Sequence, residues 1–157
     1  LRKTRETIGK ATSDVRRAIN TLMDDSPAQK DLWTRLRDSA NENASQHDLK
    51  LVWLADGDST PEPSPQIAEQ VYNITREALV NAARHANAKQ VRVQVGRHDE
   101  NYFVTIEDDG KGFDASQPAP GGHFGLQIMQ ARAKHIGGRI KLQSEVGRGT
   151  RVTLTWS

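Results

Sequence analysis

The run Asp108-Asp109-Gly110-Lys111-Gly112-Phe113 places a carboxylate at the end of a strand, with two glycines close behind it. Alternation along Tyr102 to Asp108 puts Val104, Ile106 and Asp108 on one face, and the first two are core residues by type. Asp108 therefore points inward, where an unpaired charge costs on the order of several kcal/mol. A ligand donor such as the exocyclic amino group of a purine would meet that need. The glycines would let the following backbone approach the same ligand. The Asp-Gly step also suits an ordinary turn.

A second set of reactive types lies upstream. Ile67, Val71, Ile74, Ala78 and Ala82 recur at helical spacing and predict a helix from Ile67 to His85 with one face in the core. Glu77, Asn81 and either Arg84 or His85 then stand one turn apart on an adjoining line. An acid followed four residues later by an amide offers oxygen ligands to a hard cation such as Mg²⁺, which keeps several waters and takes other oxygens from phosphates. Glu77 could instead polarise a nucleophile, while Arg84 or His85 could reach phosphate. A polar pair on a helix is also what a solvated edge looks like.

Two glycine-bearing elements complete the set. Gly121-Gly122-His123-Phe124-Gly125-Leu126 runs into the apolar helical segment Leu126 to Ala133, and a glycine loop entering a helix N-terminus suits phosphate. It also suits plain loop punctuation. Gly147-Arg148-Gly149-Thr150 reads as a hairpin turn between strands Arg139 to Ser144 and Arg151 to Trp156. Its threonine hydroxyl could touch the same ligand.

The elements that must position these residues are legible from periodicity. Leu32, Leu36 and Ala40 predict a helix to about Gln46, with Ser26 and Gln29 as a capping box and Pro27 at the first helical position. A strand near Leu49 to Leu54 follows. Asp56 to Pro65 is a polar surface loop holding three of the six prolines. Val91, Val93 and Val95 alternate with polar residues, and a turn around His98 to Asn101 returns the chain as the strand ending at Asp108. With the last two strands this gives a mixed sheet covered on one face by helices, an α/β sandwich. Residues Asp114 to His123, rich in Pro and Gly, read as a mobile lid. No internal repeat is visible.

In order and spacing these elements resemble the ATP-binding domain of sensor histidine kinases, in the superfamily that also contains DNA gyrase, the heat-shock chaperone ATPases and the MutL mismatch-repair proteins. Arg76 to Ala86 is similar to the family's N box, Asp108 to Phe113 to its G1 box, with Asp109 where Asn is more usual. Gly122 to Leu126 is similar to the G2 box, and Gly147 to Thr150 to the final strand turn. The resemblance implies a two-layer, Bergerat-type α/β fold that binds ATP and Mg²⁺. It implies that Asp108 receives the adenine amino group, that Asn81 binds Mg²⁺ bridging the phosphates, and that the catalytic Glu77 assists phosphoryl transfer and reaches the metal through water. Gly110 and Gly112 would shape the adenine end, and Gly125 and Leu126 would close a lid. Arg84, His85, Lys111, His123 and Thr150 would be further nucleotide contacts. Phosphoryl transfer is largely positioning and charge neutralisation, so such a pocket needs few strongly reactive side chains. Asp109 adds negative charge near the pocket.

Leu1, Ile8, Val15 and Leu22 fall seven apart with Thr4, Ala11 and Ala18 midway, a seam suited to helix against helix. An amphipathic helix lying on the domain would show the same stripe. In histidine kinases this place resembles the second helix of the dimerisation hairpin. The expected division is therefore 1–25 as part of that hairpin and 26–157 as the catalytic domain, the C-terminal part of a larger, homodimeric protein. The expected partners are its own upstream phosphoacceptor helix and a response regulator with helix-turn-helix output. Gly125 to Ala133 is similar to the class that pairs with such regulators and, within it, to nitrate/nitrite sensors, although Ala131 stands where Glu is usual.

The 157 residues suffice for a buried core. Twenty-two Lys+Arg against 20 Asp+Glu leave a net charge of +2, too small an excess to argue for direct nucleic-acid binding. The absence of cysteine excludes disulfides, thiolate metal sites and a cysteine nucleophile. The longest apolar stretch is Leu51 to Ala55, and no signal peptide is visible, so the expectation is a cytoplasmic domain of an inner-membrane sensor. The pairs His47-Asp48 and His98-Asp99 lie at a helix–strand junction and in a hairpin turn. Neither sits on a long amphipathic helix, so the phosphoacceptor is expected outside this sequence. His123 could touch phosphate, and His135 reads as structural. Two other functions share the boxes: a serine kinase of the anti-sigma type, and a nucleotide-binding interaction module without turnover.

Overall fold

The computed structural model describes residues 30–55, 60–85, 87–116 and 124–157. Asp31–Ser157 forms one compact unit. Its elements run α1 (Leu32–Gln46), β1 (Lys50–Ala55), α2 (Pro65–His85), β2 (Gln90–His98), β3 (Asn101–Asp108), α3 (Phe124–His135), β4 (Arg139–Glu145) and β5 (Gly149–Trp156). The strands make one mixed sheet in the order β1-β2-β3-β5-β4, with β1 parallel to β2 and every other pairing antiparallel.

Period-two burial explains why the sheet has a wet face and a dry one. Val91, Val93 and Val95 of β2, Val104 and Ile106 of β3, and Val152, Leu154 and Trp156 of β5 are all buried in the core. Helices supply the other half of that core at 3.6-residue spacing. Leu32, Leu36, Ala40 and Ala44 come from α1, Val71, Ile74, Ala78, Leu79 and Ala82 from α2, and Met129 and Ala133 from α3. Each such leucine or valine contributes about 1.5–3 kcal/mol through the area it removes from water. This is the expected two-layer α/β sandwich.

Helix α1 begins later than the Ser26 capping box predicts. Its N-cap is Asp31, whose carboxylate accepts the Thr34 N–H at 2.7 Å, and Glu62 accepts the Leu32 N–H at 3.0 Å. Two acids on the orphan donors of one helix start outcompete continuation of the helix back through Lys30, which is not helical. Ser26 to Gln29, like the seven-residue seam in 1–25, lies outside the described residues. The predicted turn at Gly147 to Thr150 is also shifted. Residues 146–148 make the turn, and Gly149 and Thr150 already belong to β5, with Glu145 paired to Gly149 and Ser144 to Thr150.

His47 and Asp48 form an exposed turn after α1, and in the β2–β3 hairpin the exposed His98 Nδ1 lies 3.2 Å from Asp99 Oδ2. Both sites are surface, as the sequence suggests. His135, read from the sequence as structural, is exposed in the last turn of α3. Among the described residues no helix is long and apolar enough to cross a membrane.

Candidate functional site

Four consecutive strands place one row of side chains at the same end of the sheet. Val91, Asp108, Thr150 and Ser144 are cross-strand partners in that order. Because Asp108 follows Val104 and Ile106 in strict alternation, its carboxylate faces the helix layer, and only 7% of the residue is exposed. The inward placement argued from sequence is therefore what the fold contains. Thr75 is the other buried polar residue of the described core, and its hydroxyl proton is donated to the Val71 carbonyl at 2.8 Å. Asp108 differs, being an acid with capacity left for a ligand.

One Asp108 oxygen, Oδ1, accepts the Gly110 N–H at 2.9 Å, and the Thr150 N–H also faces the carboxylate. Burial pushes the Asp108 carboxyl up from its ordinary value. The two N–H donors pull it back, and the negative charges of Asp109 and Glu107 add to the rise. A carboxylate accepts at about four lone-pair positions, so two backbone donors leave room for a third group that donates.

The loop after Asp108 is held by the β4–β5 hairpin. Lys111 O accepts the Gly147 N–H at 2.6 Å, and the Phe113 N–H donates to Ser144 Oγ at 2.9 Å. Gly112 has φ +61, and a Cβ there would collide with the carbonyl of Glu145. Gly110 is buried directly behind Asp108. Asp108, Gly110, Gly112 and Thr150 are thus brought together, whereas the side chain of Lys111 is exposed.

Asp109 takes a different job from the one its position suggests. Its Oδ1 accepts the N–H groups of Lys89 and Gln90 at 2.9 and 3.0 Å, tying the start of β2 to the end of β3. The Gln90 N–H, the Lys89 N–H and the Lys89 charge together hold its carboxyl below the ordinary value. A group with a depressed folded pKa adds stability above its unfolded pKa and loses it as pH falls through the folded one. Asp109→Ala is expected to cost about 1 kcal/mol in urea unfolding at neutral pH. Asp109→Asn, which keeps the acceptor, should cost less, and the gap between wild type and Asp109→Ala should close on acidification. A gap independent of pH would assign the loss to packing instead.

Glu77 and Asn81 are half-buried on α2, and Arg84 is exposed on the same helix. Gln70, two turns before Glu77, accepts from Arg132 of α3 at 3.2 Å, so this line of α2 lies on its α3 side. The opposite side packs on α1, where Arg35 stacks over Tyr72 and Asn43 donates to Leu79 O. No hydrogen bond among the described residues occupies the side-chain oxygens of Glu77 or Asn81. No cluster of three His, Asp or Glu capable of holding a metal occurs among those residues either. An amide with one acid a turn away fits a cation that draws most of its ligands from water and phosphate rather than from protein. Leu126 is half-buried against the core. Gly125 lies in the first turn of α3, while His123 and the side chain of His85 lie outside the described residues.

Residues 66–157 match the model of the histidine kinase-, DNA gyrase B- and HSP90-like ATPases. The chain belongs to that ATPase family. Within this ATPase family it is 38% identical over 92 residues to the nitrate/nitrite sensor protein NarQ of Escherichia coli (strain K12), covering 58% of the chain and 16% of NarQ. An uncharacterized sensor-like histidine kinase of Chloroflexus aurantiacus is 36% identical over 89 residues, covering 54% of the chain and 15% of that protein. The chain thus spans about one sixth of the length of these relatives. Among solved structures, the blue-light activated histidine kinase of Erythrobacter litoralis EL346 superposes with TM-score 0.61 at 25% identity, over 77% of the chain and 40% of the kinase. Its histidine kinase domain superposes with TM-score 0.67 at 23% identity, over 87% and 67%, a likeness of fold.

Two residues of this cluster carry no signal in the sequence. Ser144 looks like an ordinary strand serine, and only strand register shows that it joins Phe113 to Thr150. Gly149, read as a turn glycine, is a strand residue whose missing side chain makes room for the Asp108 carbonyl. The open face of the sheet carries a separate polar depression around Arg92, Glu107, Lys141 and Arg151, with Arg151 paired to Glu107. It lacks a buried acid and is a solvated sheet face.

Proposed function

We propose that this chain is the ATP-binding catalytic part of a two-component sensor histidine kinase, which passes the γ-phosphoryl group of ATP to a histidine on a separate helix and thence to a response regulator. The observation that carries the proposal is the buried Asp108, an acid with two backbone donors and room for one more, in a chain of the ATPase family whose relatives include sensor proteins. In this reading Asp108 accepts from the adenine amino group. Gly110, Lys111, Gly112 and Thr150 line the adenine end. Arg84, His85, His123, Gly125 and Leu126 serve the phosphate end.

Mg²⁺ would supply charge neutralisation of the phosphates, with Asn81 as its protein ligand and Glu77 acting through water. Glu77 would also orient the accepting nucleophile. The wider reading is a homodimeric, membrane-anchored sensor of nitrate/nitrite type paired with a helix-turn-helix regulator, supported by the similarity to NarQ.

Labelled ATP offered together with a separate phosphoacceptor helix tests the function. Label on histidine is the expected result. Label on a partner serine would replace the proposal by an anti-sigma-type kinase, and nucleotide binding without transfer would replace it by a conformational module. Asn81→Ala is expected to abolish the Mg²⁺-dependent part of ATP affinity, about tenfold or more, while sparing adenosine. Equal losses for ATP and adenosine in calorimetry would remove Asn81 from the metal.

A further inference from the structure

The Ser144 hydroxyl has three neighbours and only one proton. It lies 2.9 Å from the Phe113 nitrogen, 3.1 Å from the Gly149 carbonyl oxygen and 2.9 Å from Thr150 Oγ1. An amide nitrogen can only donate and a carbonyl can only accept, whereas a hydroxyl has one proton and two lone pairs. Phe113 therefore occupies one lone pair, and the Ser144 proton goes to Gly149. The single assignment left for the third contact is that Thr150 donates to the second lone pair. Were Ser144 to donate to Thr150 instead, its oxygen would face the Gly149 carbonyl oxygen with no proton between them, an unmade hydrogen bond in a half-buried place.

Thr150 carries the constraint on the Ser144 proton to the ligand. Thr150 is the cross-strand partner of Asp108 on one side and of Ser144 on the other, so the three side chains stand in a row on the helix-facing side of the sheet. With its proton committed to Ser144, the Thr150 hydroxyl can offer a neighbour nothing but a lone pair. An ionised Asp108 offers nothing but lone pairs either. Two adjacent acceptors then demand a donor from whatever binds between them, and they oppose a carbonyl. A 6-aminopurine supplies that donor at its 6-position, whereas a 6-oxopurine presents an oxygen there and can reach an acceptor only through N1–H, which requires the base to shift from the adenine position.

The geometry points to Ser144 as a positioning residue that determines purine specificity, fixing the Thr150 hydroxyl as an acceptor and so selecting a 6-amino over a 6-oxo base. The inference rests on the reading of Asp108 as the adenine-binding acid, and it adds a second residue layer whose removal should relax selectivity rather than abolish binding.

Calorimetric titration of the full chain with ATP and with inosine triphosphate, which carries oxygen at the 6-position, provides the test. Wild type is expected to prefer ATP by about a hundredfold, the effect of two misplaced acceptors. Ser144→Ala frees the Thr150 proton to turn toward an oxygen. The ATP-to-ITP ratio should then narrow by about tenfold, with most of the change in ITP. Ser144→Thr, which restores the hydroxyl, should return the ratio toward wild type. An unchanged ratio in Ser144→Ala overturns the inference and leaves the adenine reading intact. Should Ser144→Ala fail to fold, Thr150→Val decides: weakening of ATP relative to ITP supports an acceptor-only Thr150, and equal changes for both nucleotides overturn it. A wild-type protein that binds ATP and ITP alike, or neither, overturns both the inference and the adenine reading.

Discussion

Asp108→Asn is expected to raise the dissociation constant for ATP by about ten- to a hundredfold while leaving the domain folded. A hydrogen bond to a charged acceptor is worth roughly 1.5–3 kcal/mol, and the amide puts an NH₂ donor on a group that must accept. Folding should survive because the carboxylate is costly where it stands. Burial raises its pKa, so removing the charge relieves desolvation, and the amide oxygen can still accept the Gly110 N–H. The sign of the pH dependence follows. A raised folded pKa means that the native state holds this proton more tightly than the unfolded chain does. Asp108 therefore subtracts stability above its folded pKa, and the penalty is relieved as pH falls through that value and is gone below the unfolded one. ATP affinity should move the other way, declining as pH falls through the raised pKa, because a protonated acid cannot accept from the amino group with that oxygen. Opposite slopes for affinity and stability, both flattened in Asp108→Asn, form the expected signature. Unchanged ATP affinity in the variant would reject the role of Asp108.

The parts of this molecule that sequence made legible are those where local rules and tertiary packing agree. Period-two alternation turned Asp108 inward on paper for the same reason that it does so in the sheet: Val104 and Ile106 fix the face, and a strand cannot rotate one residue independently. The stripe from Ile67 to Ala82 likewise predicted both α2 and its buried side. Legibility failed where the deciding contact joins residues distant in the chain. The stripe Leu32, Leu36 and Ala40 does not say where its helix begins, and α1 starts at Leu32 because Asp31 and Glu62, which is 30 residues from Leu32, hold its first donors. Asp109 read as an extra charge near a pocket, but its oxygen is occupied by Lys89 and Gln90 across the neighbouring strand. Ser144 had no signal at all, since hydroxyl partners are set by strand register and not by spacing. The family boxes were visible because glycines and acids must sit at fixed offsets around a nucleotide. The long-range contacts of Asp109 and Ser144 that hold them in place were not.

Gly149→Ala is expected to destabilise the domain by about 3 kcal/mol or more and to weaken ATP binding with it, whereas Gly147→Ala, two residues earlier, should cost only about 1–2 kcal/mol and retain ATP affinity. The two glycines have nearly the same φ, +81 at Gly149 and +83 at Gly147, so the strain of giving an L-residue a positive φ is common to both. They differ in what a side chain would meet. Around Gly147 nothing lies within 4 Å of a Cβ, while at Gly149 a Cβ would run into the carbonyl oxygen of Asp108 and stand 3.2 Å from the Asp109 Cα. Backbone cannot yield as a flexible side chain does, so relief requires β5 to part from β3 at the Asp108–Thr150 pair. That movement would withdraw the Thr150 N–H from the carboxylate and break the Ser144 contact to the Gly149 carbonyl. Stability and binding are coupled at Gly149 because a single close approach serves both. Urea unfolding and ATP calorimetry on the two variants separate conformational strain from collision, and equal losses at the two positions would show that the approach of β5 to Asp108 does not hold the site together.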